Sequence, residues 1–225
     1  MGNGTHILAI SQLSTVADKI KCNIRWWHLL AATLFQGLTW PFARLILEVL
    51  LRPDVKGIEN LKTAHQMKLQ KDVGVLFVMN HSNSIDFVFP FLSVTPLSTL
   101  FPLFFIARRS ISYQGNRRLG LWRYFVSDAL LGISGAHPHQ SGLRDYSKSL
   151  PLHVELLKQG ESVCIFPEGK IRRGHSESKA HGGVGFLAEA TGAIVVPVRI
   201  IGVGNMTMKE FLTRKRRATV IYGAP

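Results

Sequence analysis

Short apolar runs alternate with helical segments from Val73 onward, and this alternation constrains the fold more than any other feature of the chain. The strand-like runs are Val73–Met79, Leu103–Ala107, Ser162–Phe166, Ile194–Ile201 and Ala218–Tyr222. The helical segments between them are Ile85–Val94, Leu119–Leu131, Arg144–Lys158 and Gly183–Ala190. Strands that alternate with helices form a sheet covered by helices. The sequence therefore predicts an α/β domain with a single mixed, largely parallel sheet.

Proline and glycine set several boundaries within this pattern. Pro90 argues against a long helix in its segment, and Pro197 is unusual for a central strand because proline has no backbone N–H to donate. Gly192 follows a helical segment and predicts its C-cap. Upstream of the first run, we interpret Arg52–Asp72 as a polar connector that carries a short strand and turn within Val55–Leu61.

A long uncharged stretch precedes this domain. No Asp, Glu, Lys or Arg occurs between Arg25 and Arg44, and the apolar character continues beyond it. Spanning a bilayer takes about 20 apolar residues, and Pro41 should kink or break a helix here. We expect a shallow or re-entrant helical hairpin, with a true span and a soluble core helix as alternatives. The predicted division is a membrane-associating segment, residues 1–52, and an α/β domain, residues 53–225.

The charge balance narrows the class of partner. The chain has 27 Lys and Arg against 14 Asp and Glu, a formal net charge of +13. This surplus favours anionic partners such as nucleic acid, an acidic membrane surface or a phosphorylated substrate. Mean hydropathy is nevertheless positive, at +0.15. A basic and apolar chain suits an anionic membrane surface better than nucleic acid, so we expect no nucleic-acid partner.

A histidine and an aspartate lie five residues apart, where the first strand is expected to enter a loop. His81 and Asp86 belong to Asn80–Asp86, directly after the first apolar run. On one continuous helix, positions five apart diverge by about 140° and do not meet. They meet if the helix begins near Ser82–Ser84, whose side chains are good N-caps. Asp86 would then orient one ring nitrogen and leave the other to accept a proton. The alternative is a helix-capping loop with a bystander histidine.

A second polar cluster follows a later strand. Glu168 leaves the run Ser162–Phe166 beside the flexible Gly169, and the next residues are basic. The cations are Lys170, Arg172 and Arg173. Arginine binds phosphate through bidentate hydrogen bonds, so this loop is a candidate phosphate site; a basic surface turn with Glu168 as counter-ion is the alternative. Ligands of open α/β sheets bind beyond the carboxyl ends of the strands, where both loops would face each other.

Together, these clusters resemble the motifs of the glycerolipid acyltransferase family. His-x4-Asp after one strand, followed by Phe-Pro-Glu-Gly after another, is similar to the pattern of its 1-acylglycerol-3-phosphate acyltransferase-like members of the bacterial membrane-bound type. Leu156–Ile165 resembles the lead-in to the family's second motif, and Val196–Val198 resembles its later Val-Pro-Val block. The resemblance covers roughly Val55–Pro225.

The resemblance implies a role for each matched residue. His81 would be the general base that deprotonates the acceptor hydroxyl, and Asp86 would orient it. Glu168 and Gly169 would help to position the acceptor, beside the cation of Lys170.

Two departures from the family pattern concern the acceptor's phosphate. The arginine that usually follows the second motif is replaced by Ile171, which leaves Arg172 or Arg173 for its role. A further family block carries a phosphate-binding arginine, but the comparable segment Tyr124–Ser134 has none. The arginines that remain as substitutes are Arg108, Arg109, Arg117, Arg118 and Arg144.

The implied activity is O-acyl transfer from an acyl thioester, acyl-CoA or acyl carrier protein, to the hydroxyl of a lysophospholipid. The first expectation is 1-acylglycerol-3-phosphate as acceptor, with no metal or cofactor besides the donor substrate. The implied location is peripheral or monotopic on a membrane, with the site on the cytoplasmic face. Alternatives are another lysolipid or glycerol phosphate as acceptor, a thioester hydrolase, and a non-catalytic basic membrane- or nucleic-acid-binding protein that retains the fold.

Overall fold

A computed structural model describes residues 26–108, 127–140, 145–171 and 180–225. The described strands are β1 (Asp54–Lys56), β2 (Val75–Met79), β3 (Leu103–Ala107), β4 (Ala136–Pro138), β5 (Ser162–Ile165), β6 (Ile194–Ile201) and β7 (Thr219–Tyr222). The described α-helices are α1 (Trp26–Leu51), α2 (Ile58–Lys71), α3 (Asp128–Ile133), α4 (Tyr146–Ser149), α5 (Pro151–Lys158), α6 (Gly183–Thr191) and α7 (Met208–Leu212). A 3₁₀ helix occupies Asp86–Leu92.

The strands form one mixed sheet in the order β1-β7-β6-β2-β5-β3-β4. Its neighbouring strands run parallel, except that β6 and β7 are antiparallel. β2 lies in the centre, and its Val75 pairs with Ser162 of β5 on one side and Ile194 of β6 on the other. The predicted fold class, a single mixed and largely parallel sheet flanked by helices, is confirmed.

The central strand divides its side chains between two hydrophobic cores. Val75, Phe77 and Met79 belong to a cluster that includes residues of α1 and α2. Leu76 belongs to a second cluster with residues of α5 and α6. Successive side chains of a strand lie on opposite faces, so helices cover both faces of this sheet. Burial on both faces explains why the run Val73–Met79 shows no polar alternation.

The segment predicted as a polar connector contains a full helix. α2 begins at Ile58, one residue after Gly57, whose φ of 76° lies in the left-handed region. Only Leu61 and Ala64 of α2 are buried. The prediction was wrong because two buried positions leave little periodic signal in a segment rich in Lys and Gln. The short strand expected there is present as β1.

Two predicted helices differ from the observed ones at proline residues. Arg144–Lys158 contains two helices rather than one, because Pro151 begins α5 at a position where its missing N–H is tolerated. The helix predicted over Ile85–Val94 is a shorter 3₁₀ helix with Pro90 inside it. Most of the helix predicted over Leu119–Leu131 lies outside the described residues.

Pro197 lies inside β6 without breaking the strand. The Ile194 N–H donates to the Gly74 carbonyl on the β2 side, at 3.0 Å. Backbone nitrogens alternate between the two sides of a strand, so those of residues 195, 197, 199 and 201 lie on the β7 side. Pro197 is one of those residues and faces the end of β7. There the Gly223 N–H donates to the Pro197 carbonyl at 2.8 Å. The proline therefore removes one donor at the end of the ladder, where its absence disturbs pairing least.

One continuous helix replaces the expected helical hairpin. α1 runs for 26 residues through Pro41. On one side of the proline, the buried Gln36 donates to two backbone carbonyls at 2.7 and 3.0 Å, and Trp40 Nε1 donates to two more at 2.9 and 3.2 Å. On the other side, Leu47 and Leu51 are buried. These contacts with the sheet domain offset the roughly 3 kcal/mol that an interior proline costs, so the expected break is absent.

α1 has one face against the domain and one face exposed. By length and composition alone, its segment His28–Leu51 is apolar enough to cross a membrane. Buried residues recur from Ala32 to Leu51, a distance of about 28 Å along the helix axis. The α/β domain therefore lies beside most of α1. The exposed apolar residues, which we call the apolar stripe, are Leu30, Leu34, Leu38, Phe42, Leu45, Ile46 and Val49.

Two histidines, the buried His153 and the partly buried His137, are expected to make the fold sensitive to acid. Burial, with a smaller effect of His137 and His139, lowers the pKa of His153 from 6.5 to about 3. Burial and the nearby His28 lower the pKa of His137 from 6.5 to about 4. As the pH falls, these histidines are therefore protonated in the unfolded chain before they are protonated in the folded protein. The free energy of unfolding is highest above about pH 6.5 and decreases as the pH drops toward the folded-state pKa values. At about pH 5 each histidine should cost about 2 kcal/mol.

Urea unfolding at neutral pH and at about pH 5 checks this expectation. His153→Leu keeps a similar volume without a titrating group, so it should lose about half of the acid destabilisation. His65→Leu on α2, where the histidine is only partly buried, is the matched control. Acid sensitivity that is unchanged in His153→Leu would contradict the assignment to this residue.

Candidate active site

The two predicted polar clusters lie together at one edge of the sheet. β2 and β5 are adjacent parallel strands, so their carboxyl ends emerge side by side. The first loop, Asn80–Ile85, follows β2, and the second loop, Phe166–Ile171, follows β5. The rings of His81 and Phe166 stack with centroids 4.2 Å apart and an interplanar angle of 26°. The two loops therefore face each other at the carboxyl edge, as expected.

Asp86 holds the ring of His81. His81 Nδ1 lies 3.2 Å from Asp86 Oδ2, so the pair meets as predicted. The Asp86 side chain is fully buried, whereas 20% of the His81 side chain is exposed. A carboxylate at Nδ1 favours the tautomer that carries its proton there. The basic nitrogen is then Nε2, on a ring that remains accessible to a substrate.

The same carboxylate also organises the first loop. Asp86 Oδ2 accepts hydrogen bonds from the backbone N–H groups of Ser82 and Asn83, the latter at 2.7 Å. The 3₁₀ helix begins at Asp86, and its cap residue Ile85 makes no side-chain capping bond. The expected N-cap at Ser82–Ser84 is therefore wrong. Instead, the buried carboxylate at the start of the helix accepts hydrogen bonds from backbone N–H groups of the loop that precedes it.

Two asparagines of the first loop attach it to neighbouring elements. The Asn80 amide donates to the Ile200 carbonyl at 3.0 Å and accepts from the Ile200 N–H at 2.7 Å, as a further residue of β2 would. Asn83 Nδ2 donates to the carbonyls of Val203 and Met206 at 2.9 and 3.2 Å. Neither role was apparent from the sequence, where the only signal was a pair of carboxamides in one loop. These bonds hold the loop rigidly beside β6.

The second loop turns sharply at Gly169. Its φ of 64° lies in the left-handed region that favours glycine, and its N–H donates to the Phe166 carbonyl at 3.0 Å. The His181 N–H donates to the Pro167 carbonyl at 2.8 Å. A Cβ on Gly169 would lie 3.3 Å from His181 Cδ2. Conformation and space therefore both favour glycine at this turn.

The predicted acceptor-binding residues lie at different depths. Glu168 is only 6% exposed, whereas Gly169 and Lys170 are at the surface of the loop. Arg172 and Arg173 lie outside the described residues, so their phosphate contacts stay predictions.

Arg108 reaches the second loop from the end of β3. Its Nη2 donates to the Gly169 carbonyl at 2.8 Å. β3 is the neighbour of β5 in the sheet, which explains how a residue 61 positions away in sequence arrives at this turn. The other substitute arginines lie outside the described residues: Arg109, Arg117, Arg118 and Arg144. Arg108 thus contributes a guanidinium directly beside the glycine turn.

This arrangement is able to activate a hydroxyl group next to a cationic surface that can bind an anion. His81 offers a basic nitrogen, and the carboxylate of Asp86 can stabilise the imidazolium that proton uptake creates. Lys170 lies on the second loop, and the Arg108 guanidinium reaches that loop from the end of β3, so both cations would attract a phosphate there.

Comparison with curated proteins finds similarity to plant acyltransferases. The chain is 25% identical over 156 residues to the chloroplastic 1-acyl-sn-glycerol-3-phosphate acyltransferase BAT2 of Brassica napus. It is 23% identical over 205 residues to the chloroplastic 1-acyl-sn-glycerol-3-phosphate acyltransferase LPAT1 of Arabidopsis thaliana. These alignments cover 69% and 89% of this chain but only 39% and 49% of the two relatives.

Among solved structures, the chain is similar to the 1-acyl-sn-glycerophosphate (LPA) acyltransferase PlsC from Thermotoga maritima. The TM-score is 0.47 and the sequence identity 19%, over 77% of this chain and 60% of that one. The family model described as Acyltransferase matches residues 52–201, which include both loops and all strands from β1 to β6. The chain therefore belongs to the acyltransferase family.

Proposed function

We propose that this protein is a membrane-associated acyltransferase that moves a fatty acyl group from an acyl thioester to the hydroxyl of a lysophospholipid. The favoured acceptor is 1-acylglycerol-3-phosphate, which would give phosphatidic acid. The observation that carries the proposal is the contact between His81 and the buried Asp86, beside the loop Phe166–Ile171. The names of the two plant relatives support this acceptor.

In the proposed reaction, His81 acts as the general base. Its Nε2 takes the proton of the acceptor hydroxyl while the hydroxyl oxygen attacks the thioester carbonyl carbon. The new C–O bond forms, the C–S bond breaks, and the proton passes from the imidazolium to the departing thiolate. Asp86 keeps the ring oriented and offsets its transient positive charge. The donor, acyl-CoA or acyl carrier protein, is a substrate, and the scheme involves no metal or cofactor.

The second loop would hold the acceptor's phosphate. Gly169 and Lys170 form its accessible surface, whereas Glu168 is buried. Arg172 or Arg173 would supply a bidentate grip, as the family pattern implies. Arg108 is a further candidate because its guanidinium already adjoins the Gly169 carbonyl.

Arg108→Gln is expected to raise the KM for a phosphorylated acceptor about tenfold and to leave the KM for the acyl donor nearly unchanged. A charge-assisted hydrogen bond to phosphate contributes about 1.5–3 kcal/mol, and glutamine retains a donor but no charge. Steady-state kinetics with each substrate varied in turn measures the effect. Arg172→Gln and Arg173→Gln belong in the same series, and Arg199→Gln on β6 is the control. Equal increases in both KM values would exclude a phosphate-binding role for the arginine concerned.

The membrane would be contacted by α1 lying flat rather than crossing. The hydrocarbon core is about 30 Å thick, and the α/β domain flanks α1 for nearly that length. A crossing α1 would carry the polar domain into the hydrocarbon, where its surface groups would lack partners. We therefore propose a monotopic arrangement with residues 1–52 as the membrane-associating segment, residues 53–225 as the catalytic domain, and the site on the cytoplasmic face.

Substituting the apolar stripe should release the protein from membranes without unfolding it. Leu34, Leu38 and Phe42 are 56, 72 and 68% exposed. Changing all three to glutamine removes enough apolar surface to weaken partitioning about 100-fold. Flotation with lipid vesicles measures this partitioning. The control is Ile58→Gln with Leu69→Gln, two exposed apolar residues of α2; equal release by the control would argue against the stripe as the contact.

An acyl-transfer assay distinguishes the proposed function from another acceptor, a thioester hydrolase and a non-catalytic binding protein. Membranes that contain the protein are incubated with labelled acyl-CoA or acyl carrier protein and a panel of lysolipids, glycerol phosphate and a non-phosphorylated acceptor. Labelled phosphatidic acid from 1-acylglycerol-3-phosphate is the expected product. Another labelled lipid would correct the acceptor, free fatty acid alone would indicate a thioester hydrolase, and no product with any acceptor would indicate a non-catalytic binding protein.

A further inference from the structure

A basic cavity lies where α1 meets the start of β1, at a distance from the first loop, which carries His81. It measures about 310 Å³ and is open to solvent. Three arginines line it: Arg44 from α1, Arg52 just after α1, and Arg217 just before β7. Glu48 is the acidic residue in the lining and pairs with Arg44, with Nε and Oε1 2.7 Å apart. The lining therefore carries a surplus of two positive charges.

Arg52 occupies a backbone position that usually belongs to glycine. Its φ of 44° lies in the left-handed region, and it directly follows the last residue of α1. Glycine is the common residue at such helix ends because other side chains are strained there. The Arg52 side chain makes no hydrogen bond or ion pair with any residue in the described part of the chain. Its contacts within the fold thus do not explain why this strained position carries arginine.

The other two arginines are held in place before any ligand arrives. The Arg44 guanidinium lies over the Trp40 ring, 5.3 Å from its centroid. Trp40 is itself fixed by hydrogen bonds from Nε1 to two backbone carbonyls. Arg217 Nε donates to the Arg52 carbonyl at 3.1 Å. Ordered side chains lose less conformational entropy on binding, so the cavity is partly preorganised.

The surroundings of the cavity indicate the source of its ligand. Arg44 lies between Phe42 and Leu45 of the apolar stripe in sequence, so a cation and exposed apolar side chains occupy the same part of α1. A phospholipid offers the same combination, an anionic phosphate attached to acyl chains. Guanidinium groups match phosphate geometry through bidentate hydrogen bonds.

The cavity and the candidate active site share one edge of the sheet. β1 and β7 begin where β6 ends, and β6 runs parallel to β2. Three strand spacings separate β1 from β2, which is about 14 Å. A lipid bound at the cavity would therefore lie beside the acceptor site without occupying it.

We propose that Arg44, Arg52 and Arg217 bind the phosphate of an anionic phospholipid headgroup in the bilayer, at a site separate from the acceptor. Binding there presupposes the membrane association proposed above. The bound lipid orients α1 on anionic membranes and keeps the active-site edge at the lipid surface.

Arg52→Gly is a sharp test because it should move stability and lipid binding in opposite directions. Glycine relieves the left-handed strain, so thermal stability should stay equal or rise. Loss of the guanidinium should weaken binding to phosphatidylcholine vesicles that contain phosphatidic acid by about tenfold. Binding to pure phosphatidylcholine vesicles should not change. Arg52→Lys, which keeps the charge without the planar fork, should give an intermediate loss.

Arg214→Gly is the matched control. Arg214 is also an exposed arginine with a left-handed φ, 58°, but it does not line the cavity. The variant Arg214→Gly should lose clearly less binding to anionic vesicles than Arg52→Gly. Equal losses would mean that general surface charge attracts the membrane, and unchanged binding in Arg52→Gly would mean that the cavity holds no headgroup. Either result overturns the proposal.

Two further measurements identify the ligand source and separate this proposal from the proposed function. If inorganic phosphate alone stabilises the wild type as strongly as anionic vesicles do, and does not stabilise Arg52→Gly, a soluble anion rather than a lipid is the ligand. Acyl transfer in neutral detergent micelles should be equal in the wild type and Arg52→Gly. A wild type that transfers no acyl group would remove the proposed function, whereas the vesicle comparison would still decide the lipid site.

Discussion

His81→Ala is expected to lower kcat for acyl transfer by about 10²–10⁴-fold, the usual contribution of a general base. The His81 imidazole is a basic group that stacks on Phe166 of the second loop and is oriented by Asp86. Alanine removes the proton acceptor but leaves the acceptor-binding loop, so the KM for the lysophospholipid should change little. Initial rates with labelled acyl donor, measured over a range of acceptor concentrations, separate kcat from KM.

His65→Ala is the matched control for this variant. His65 is a partly buried histidine of α2, which packs on the sheet away from the two loops, and its ring bonds to Thr99. Its removal should leave kcat nearly unchanged. Equal transfer by the wild type and His81→Ala would show that another group deprotonates the acceptor.

Asp86→Asn is expected to lower kcat by about 10²–10⁴-fold as well, by a different route. With its oxygen at the position of Asp86 Oδ2, the neutral asparagine amide no longer stabilises the imidazolium that proton uptake creates on His81. The asparagine oxygen can still accept from the N–H groups of Ser82 and Asn83, so the fold should be largely retained. Measuring both kcat and the free energy of unfolding of Asp86→Asn tests whether activity is lost while stability is retained.

Asp86→Ala should cost stability in addition to activity. It leaves the N–H groups of Ser82, partly buried, and Asn83, buried, without their carboxylate, at about 1–3 kcal/mol for each unsatisfied donor. Urea unfolding should therefore show a loss of about 2–6 kcal/mol for alanine and a much smaller loss for asparagine. A stable Asp86→Ala protein with full activity would contradict both the structural and the catalytic role.

The sheet was predictable because its strands are buried on both faces. Leu76 and Phe77 belong to opposite cores, so the whole run Val73–Met79 is apolar and stands out from the chain around it. The helices were less predictable where few residues are buried. α2 buries only Leu61 and Ala64, and its polar sequence resembles a connector.

The site was predictable where its residues lie close together in sequence. His81 and Asp86 are five residues apart after one strand, and Phe166–Gly169 follow the neighbouring strand, so local spacing and strand adjacency bring them together. Arg108 was only one of several arginines in the sequence. The pairing of β3 with β5 brought it to the Gly169 turn, and no local pattern encodes that pairing.

The sequence by itself determined the α/β class, the apolar strands, the histidine and aspartate, and the basic second loop, because each depends on residue type and short spacing. The tertiary structure decided three other features: the unbroken α1, the direction in which Asp86 closes its loop, and the arginine cavity beside β1. Each of these depends on contacts between segments far apart in the chain. Gln36 and Trp40 hold α1 through carbonyls of distant segments, and Arg52 and Arg217 meet because β1 pairs with β7.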